Sequence, residues 1–469
     1  MPRRLQRLSS PKPIALAVLG LLACTQADTG DSGDSGDTTT DTNIQLDATV
    51  NSLIPTVVHV SWTSQAPSTG RVEYGLPGQL EWSTADDDAP ATQHDALLLG
   101  LQPATTYAYR VVADVDGRAV SSGDGEVTTG PLPAEAPPLD LSPGSAPADG
   151  QGFLTFTTAD MPSDSSWIWV LDGEQQPVWM FPIQGYSTRA RLSPFGAAMT
   201  YEVHSEASGP AWESTLHRVS LDGSEQLVLD AGGAADDFAE VDASTYAVLQ
   251  GYQPDLEGLT EPVLSARLLE IAHDGTSTVI WDAPDTFELD PSNPSQMYRD
   301  GIHANFLHYD PDTDSYLFTL RSIPAIVKID RSTGDVVWVL DSTGGDFTTD
   351  TSPLMGGVHS VQPSDTGLVI FDQESPLLAG CSGAAGFSLD SSSMTVSVDW
   401  TLAPDACTST VMGGSALLLP GGNRLVDYGT AGFLDEVTPE GENCWRLSVP
   451  LGQTMGYPEH SATLVTQAP

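Results

Sequence analysis

The chain has 469 residues, 63 of them acidic and 17 basic, for a formal net charge of −46, and 40% are hydrophobic. That acid excess excludes nucleic acid as a partner, because phosphate contacts need a basic surface, and it disfavours docking on anionic lipid through charge. The 44 glycines and 35 prolines, with no long helical periodicity, point to an all-β protein rich in turns.

The N-terminus reads as an export address. "MPRRLQRLSSPKP" is a basic leader, and "IALAVLGLLA", residues 14–23, is an apolar run too short to span a bilayer. The run ends in "LLAC", residues 21–24, which resembles a bacterial lipobox. The resemblance implies that residues 1–24 form a lipoprotein signal peptide and that Cys24 carries the acyl chains. The protein is then expected outside the cytoplasm of a bacterial cell, in the outer membrane or periplasm, touching membrane only through its lipid. Residues 25–43 are acidic and low in complexity, and cannot bury enough apolar surface to fold, so they read as a tether. An exported chain can hold disulfides. With Cys24 lipidated, Cys381, Cys407 and Cys444 remain, and the expected bridge joins Cys381 to Cys407.

Residues 44–130 carry short alternating runs such as "TVVHVSWTS" and "TGRVEYG", separated by turn residues, which is a β-sandwich pattern. "GLQPATTYAYRV" resembles the E–F corner of fibronectin type III-like domains and makes Tyr107 a candidate corner tyrosine. His94 reads as a strand-edge residue, and no chemistry is visible in this unit. Residues 131–138 form a Pro-rich linker.

From residue 139 to 469 the chain repeats. The unit is a hydrophobic strand, a turn of Asp, Gly or Ser, and a strand that usually ends in Trp. "WIWVLDGEQQPVWMF" at 167 opens the series and "GFLDEVTPEGENCWRLS" at 432 closes it. Six copies, all in β, predict a six-bladed propeller. Trp179, Trp281, Trp338, Trp400 and Trp445 fall at matching outer-strand places and read as packing residues.

Aligning the copies by their turns places the inner strands of successive blades at "ADDFAEV", "IHANFLH", "VHSVQ" and "GGSALLL". Asp236 or Asp237, His303 and His359 then occupy equivalent places facing a central channel. Arg321 ends the second strand of the His303 blade. With so few basic residues, an inward arginine suggests an anion, since its guanidinium matches sulfate, phosphate or carboxylate.

"HANFLHYDPDTDSYLFTLRSIPAIVKIDRSTGDVVWVL" resembles the signature blade of the exported bacterial arylsulfotransferases that use no nucleotide sulfate donor. His303, Asn305, Arg321, Lys328, Ile329, Asp330, Thr333, Gly334 and Trp338 carry the likeness. "GVHSVQPSDTGLVIFD" adds His359, Gly367, Phe371 and Asp372, and "LPGGNRLV" and "EVTPEGENCW" extend it through the last blade. The resemblance implies a six-bladed propeller behind a smaller β-domain, acting on aryl sulfates and phenols with no metal or organic cofactor. It assigns His359 as nucleophile, His303 as acid and base, and Arg321 with Asn305 as stabilisers of charge on the sulfuryl oxygens. One departure stands out. The family carries a further histidine in the blade before His303, where this chain reads Asp236 and Asp237, which are therefore expected to tune the site; His204 fills that role only if the alignment slips by a blade. Two other readings stay open: a non-catalytic surface propeller that binds a glycan, peptide or small anion, and a metal site built from His303, His359 and Asp237.

Overall fold

A computed structural model describes residues 39–465 apart from 41–43, 88, 116, 161–162, 206–212, 255–263, 289–300 and 405. The leader, Cys24 and nearly all of the tether lie outside the described residues, as does the side chain of Asp236.

The N-terminal unit is built on one long strand, Val58–Gly75. Its first half pairs with Gln45–Val50 and Ala91–Leu98, and its second half with Thr106–Val115. The alternating apolar positions of these strands turn inward, and Val60, Trp62, Val72, Tyr107 and Val111 fill the space between the two halves. The Tyr107 hydroxyl accepts a hydrogen bond from the Gln102 N–H at 2.9 Å, five residues upstream, as a corner tyrosine would. His94 differs from expectation: it lies on the edge strand Ala91–Leu98, but its side chain is buried. It stacks on Trp62 and bonds Asp87 at 2.7 Å and Ser68 at 3.2 Å. Ser68 is itself buried, so this Ser–His–Asp array has no route to a substrate.

Six four- or five-stranded antiparallel sheets follow as the blades of a propeller. Blade 1 contains Phe153–Asp160, Ser165–Leu171 and Pro177–Gln184. Its inner edge comes from the far end of the chain, where Thr454–Met455 and Glu459–Ser461 pair with Phe153–Asp160. The ring is also tied at blade 6, where Asp140–Pro143 adds an outermost strand to Asn443–Ser448. Blades 2 to 5 are sequential, with inner strands Ala190–Leu192, Ala234–Asp242, Ala304–Asp310 and Val358–Ser364. The tryptophans sit on outer strands and pack blades together; Trp281 of blade 3 meets Phe318 of blade 4 at 4.8 Å.

The first unit packs on the rim of blades 1 and 2. Ile54 and Val57 join Trp179, Phe181 and Tyr201 in one buried cluster. Asn51 Nδ2 donates to the Asp222 carbonyl at 2.7 Å, and Gln102 Nε2 to Asp172 at 2.8 Å. Among the described residues no helix is long and apolar enough to cross a membrane.

Candidate active site

Three inner strands share one irregularity. The ladder shifts between Ala235 and Asp237 in blade 3, between Ala304 and Leu307 in blade 4, and between Val358 and Ser360 in blade 5. A bulge inserts an extra residue and re-aims its side chain, a device common beside active sites. Asn305 and His359 are bulge residues. Together with His303 and Arg321 they line a single cavity of about 290 Å³ at one end of the channel. No carboxylate is among the described residues that line it, which is notable in a chain this acidic.

Three of the four sequence-derived residues are held in different ways. His359 is buried, and its Nδ1 lies 2.7 Å from the Tyr457 hydroxyl. Burial, followed by the nearby His303 and Arg321, holds its pKa well below the ordinary imidazole value, so the ring is neutral at pH 7. Arg321 follows the strand Ser315–Leu320 directly; its N–H donates to the His303 carbonyl at 2.7 Å and its Nε to Gln373 Oε1 at 3.0 Å. No carboxylate of a described residue lies within ion-pair distance of its guanidinium. Asn305 is 2% exposed, and its Nδ2 has no hydrogen-bond partner among the described residues. A buried amide donor left unpaired on a cavity wall is costly unless a ligand accepts from it.

Asp237 does not line this cavity. Asp237 is fully buried on the channel axis, outside the cavity lining. Its carboxylate meets Arg189 Nε at 2.9 Å and Arg191 at 3.2 Å, and accepts the Leu307 and Phe238 N–H groups at 2.8 Å. Glu459, from the C-terminal strand, closes the cluster with 2.6 Å to Arg189 and 2.8 Å to Arg191. Asp237 therefore neutralises two buried arginines; no contact joins it to His303 or His359, and the metal reading loses its carboxylate. Instead His204 of blade 2 supplies a third imidazole on the cavity wall. Its Nε2 lies 3.2 Å from the buried Glu202, and its Nδ1 3.0 Å from Ser214 Oγ.

Sequence reasoning missed Tyr457 and Gln373. Tyr457 lies on the C-terminal segment that closes blade 1, far from any repeat landmark; its ring also meets the Arg189 guanidinium at 5.2 Å. Gln373 is the residue after "FD" in blade 5, and the tie to Arg321 was the only signal that could have marked it. Cys381 and Cys407 form a disulfide, and Cys444 is free and buried, its thiol pushed up to about 11 chiefly by burial. The bridge fastens the loop that carries Val411 and Met412, two exposed apolar residues at the cavity mouth.

Comparison with known proteins bears on the domains rather than on these residues. Residues 237–448 match the family model for arylsulfotransferase (ASST), and residues 44–129 match that for the purple acid phosphatase N-terminal domain. No curated protein matches the chain. Similar solved structures include a protein of unknown function from Bacteroides caccae (13% identity, covering 64% of this chain and 94% of that one, TM-score 0.38). An auxiliary nutrient binding protein from Bacteroides ovatus is similar at 9% identity, over 87% of this chain and 88% of that one, with TM-score 0.38. The apocarotenoid oxygenase of Synechocystis is similar at 12% identity, over 64% of this chain and 68% of that one, with TM-score 0.34. Likenesses of that degree say nothing about activity. The chain thus carries an arylsulfotransferase-family domain over residues 237–448, set in a six-bladed propeller behind an N-terminal β-domain that matches the purple acid phosphatase N-terminal family.

Proposed function

We propose that this cavity moves a sulfuryl group from an aryl sulfate to a phenol through a sulfo-histidine on His359. The observation that carries the reading is a buried neutral imidazole beside an amide donor and an arginine that meet, among the described residues, no acceptor and no carboxylate respectively, in one cavity whose described lining carries no acid. When Nδ1–H donates to the Tyr457 oxygen, the Nε2 lone pair is left for attack. Nε2 bonds to sulfur, the sulfur–oxygen ester bond breaks, and the departing phenolate takes a proton from His303. Asn305 Nδ2 and Arg321 meet the sulfuryl oxygens, whose charge is what the transition state must stabilise. In the return step the acceptor phenol gives its proton to His303, its oxygen bonds to sulfur, and the N–S bond breaks. The sulfo-histidine forms before the acceptor reacts, so donor product leaves before acceptor enters and the kinetics are ping-pong.

The location belongs to the same proposal: a lipid anchor on Cys24 and the Cys381–Cys407 bridge both suit an oxidising compartment outside the cytoplasm. The test is to mix the full chain, in detergent, with an aryl sulfate and no acceptor, and to map the peptides by mass. One added sulfuryl group on His359, lost in His359→Asn, is expected. Absence of both adduct and phenol release across several donors would leave the propeller as a binding module.

A further inference from the structure

We infer that Gln373 is a positioning residue for sulfuryl transfer, fixing Arg321 against the cavity; the inference rests on the function proposed above. Gln373 is 1% exposed and every polar group it offers is used. Its side-chain Oε1 accepts from Arg321 Nε at 3.0 Å, and its Nε2 donates to the Gly413 carbonyl at 3.1 Å. Its backbone N–H donates to the Gly357 carbonyl at 3.0 Å, and its carbonyl accepts from Ser382 Oγ at 2.7 Å. One residue therefore joins four segments, two through its side-chain amide and two through its backbone: the Arg321 turn of blade 4 and the Gly413 loop at the cavity mouth, and the glycine two residues before His359 and the residue beside Cys381.

The chemistry of the contact matters. An arginine can present its guanidinium edge in many orientations on a flexible stem, and its rotamer freedom opposes any single one. A neutral acceptor at Nε holds the plane while leaving the full positive charge and both terminal nitrogens for an anion. A carboxylate at the same place would hold the plane equally well but cancel the charge. The amide at 373 is thus the side chain that orients Arg321 without neutralising it. Because Nε2 of the same amide is tied to Gly413, the mouth loop and the guanidinium cannot move independently.

The experiment is a double-mutant cycle on the full chain with 4-nitrophenyl sulfate, comparing Gln373→Met, Arg321→Ala and the pair. Arg321→Ala removes a donor to the sulfuryl oxygens and is expected to lower kcat about 100- to 1000-fold. Gln373→Met misplaces that donor and is expected to lower kcat about 100-fold. The double variant is expected to be no slower than Arg321→Ala alone, because a positioning residue has nothing left to position. Losses that multiply would overturn the inference and leave Gln373 a folding residue. Gln373→Glu gives a second readout: its activity should recover as pH falls and the new carboxyl becomes a neutral acceptor, and this recovery should appear at pH values where the variant's unfolding midpoint already matches the parent's, which a purely structural role would not allow. If the parent protein transfers nothing, the four proteins are titrated with inorganic sulfate by calorimetry. Equal, non-multiplying losses of affinity in Gln373→Met and Arg321→Ala then keep the positioning role while the sulfotransferase reading falls. Parent-like binding by Gln373→Met, or no binding by any protein, removes the positioning role.

Discussion

The hydroxyl of Tyr457 lies 2.7 Å from Nδ1 of His359, although 98 residues separate them in the chain. The contact exists because the C-terminal strand returns to form the inner edge of blade 1, so closing the ring also supplies the partner of the proposed nucleophile. Removing that partner frees the imidazole to rotate and to exchange tautomers. Tyr457→Phe is expected to lower the rate of sulfo-histidine formation about 10- to 100-fold, the scale for a residue that orients a reacting imidazole. The unfolding midpoint should change little, because the ring remains to pack on Phe306. Single-turnover phenol release, measured beside a urea melt, checks both halves.

The depressed pKa of His359 sets a pH profile. Burial and two neighbouring basic groups disfavour its cation, so the neutral ring persists as pH falls through 6.5. With 4-nitrophenyl sulfate, whose leaving group needs no proton from His303, the single-turnover rate should stay flat from pH 8 to below 6.5. A rate that halves near pH 6.5, as an ordinary histidine would dictate, contradicts the environment described for this ring.

A second histidine links the channel to stability. His308, half-buried near the other end of the channel, has its pKa pushed down to about 4, by burial first and then by Arg191; Glu459, Asp310 and Arg189 also act on it. The unfolded chain binds a proton on this residue below about pH 6.5 while the folded protein does not until about pH 4, so stability falls as pH falls across that window. The slope is at most about 1.4 kcal/mol per pH unit for one proton. His308→Gln should flatten the acid side of a melting-temperature profile between pH 6.5 and 4, and leave pH 8 unchanged.

The six-fold repeat and the placing of His303 and His359 were legible because turns and outer-strand tryptophans recur at steady spacing, which fixes the inner strands between them. The inner strands of blades 1 and 2 were not legible. One is supplied by the C-terminus, and the other, Ala190–Leu192, is three residues long and shows no alternation. Arg189, Arg191, Glu459 and Tyr457 were hidden with them. The direction of Asp237 was not legible for a different reason. Period-two reasoning tells which face a strand residue takes only in a regular ladder, and the bulge between Ala235 and Asp237 breaks that rule. The same bulge at Val358 to Ser360 contains His359, so pattern alone could name the residue but not its direction.

The Asp237 cluster yields the last prediction. Arg189 and Asp237 are both fully buried, and Arg191 is nearly so. Three of the four ionic contacts in this cluster lie at 2.6–2.9 Å and the fourth at 3.2 Å, with Leu307 and Phe238 N–H groups filling further oxygen lone pairs of Asp237. In Asp237→Asn the two guanidinium groups keep only Glu459 as an ion-pair partner among the described residues, with Glu202 acting on Arg191 at longer range, so buried positive charge loses its closest compensation. That situation destabilises by about 3–5 kcal/mol. Urea unfolding of Asp237→Asn should show a loss of that size, whereas a surface control such as the exposed Asp365→Asn should show little. If the cluster were instead an exposed, weakly paired patch, both variants would shift alike. The outcome also separates the two roles considered for this carboxylate: a residue that tunes the cavity would alter transfer at unchanged stability, and a residue that neutralises the channel core does the reverse.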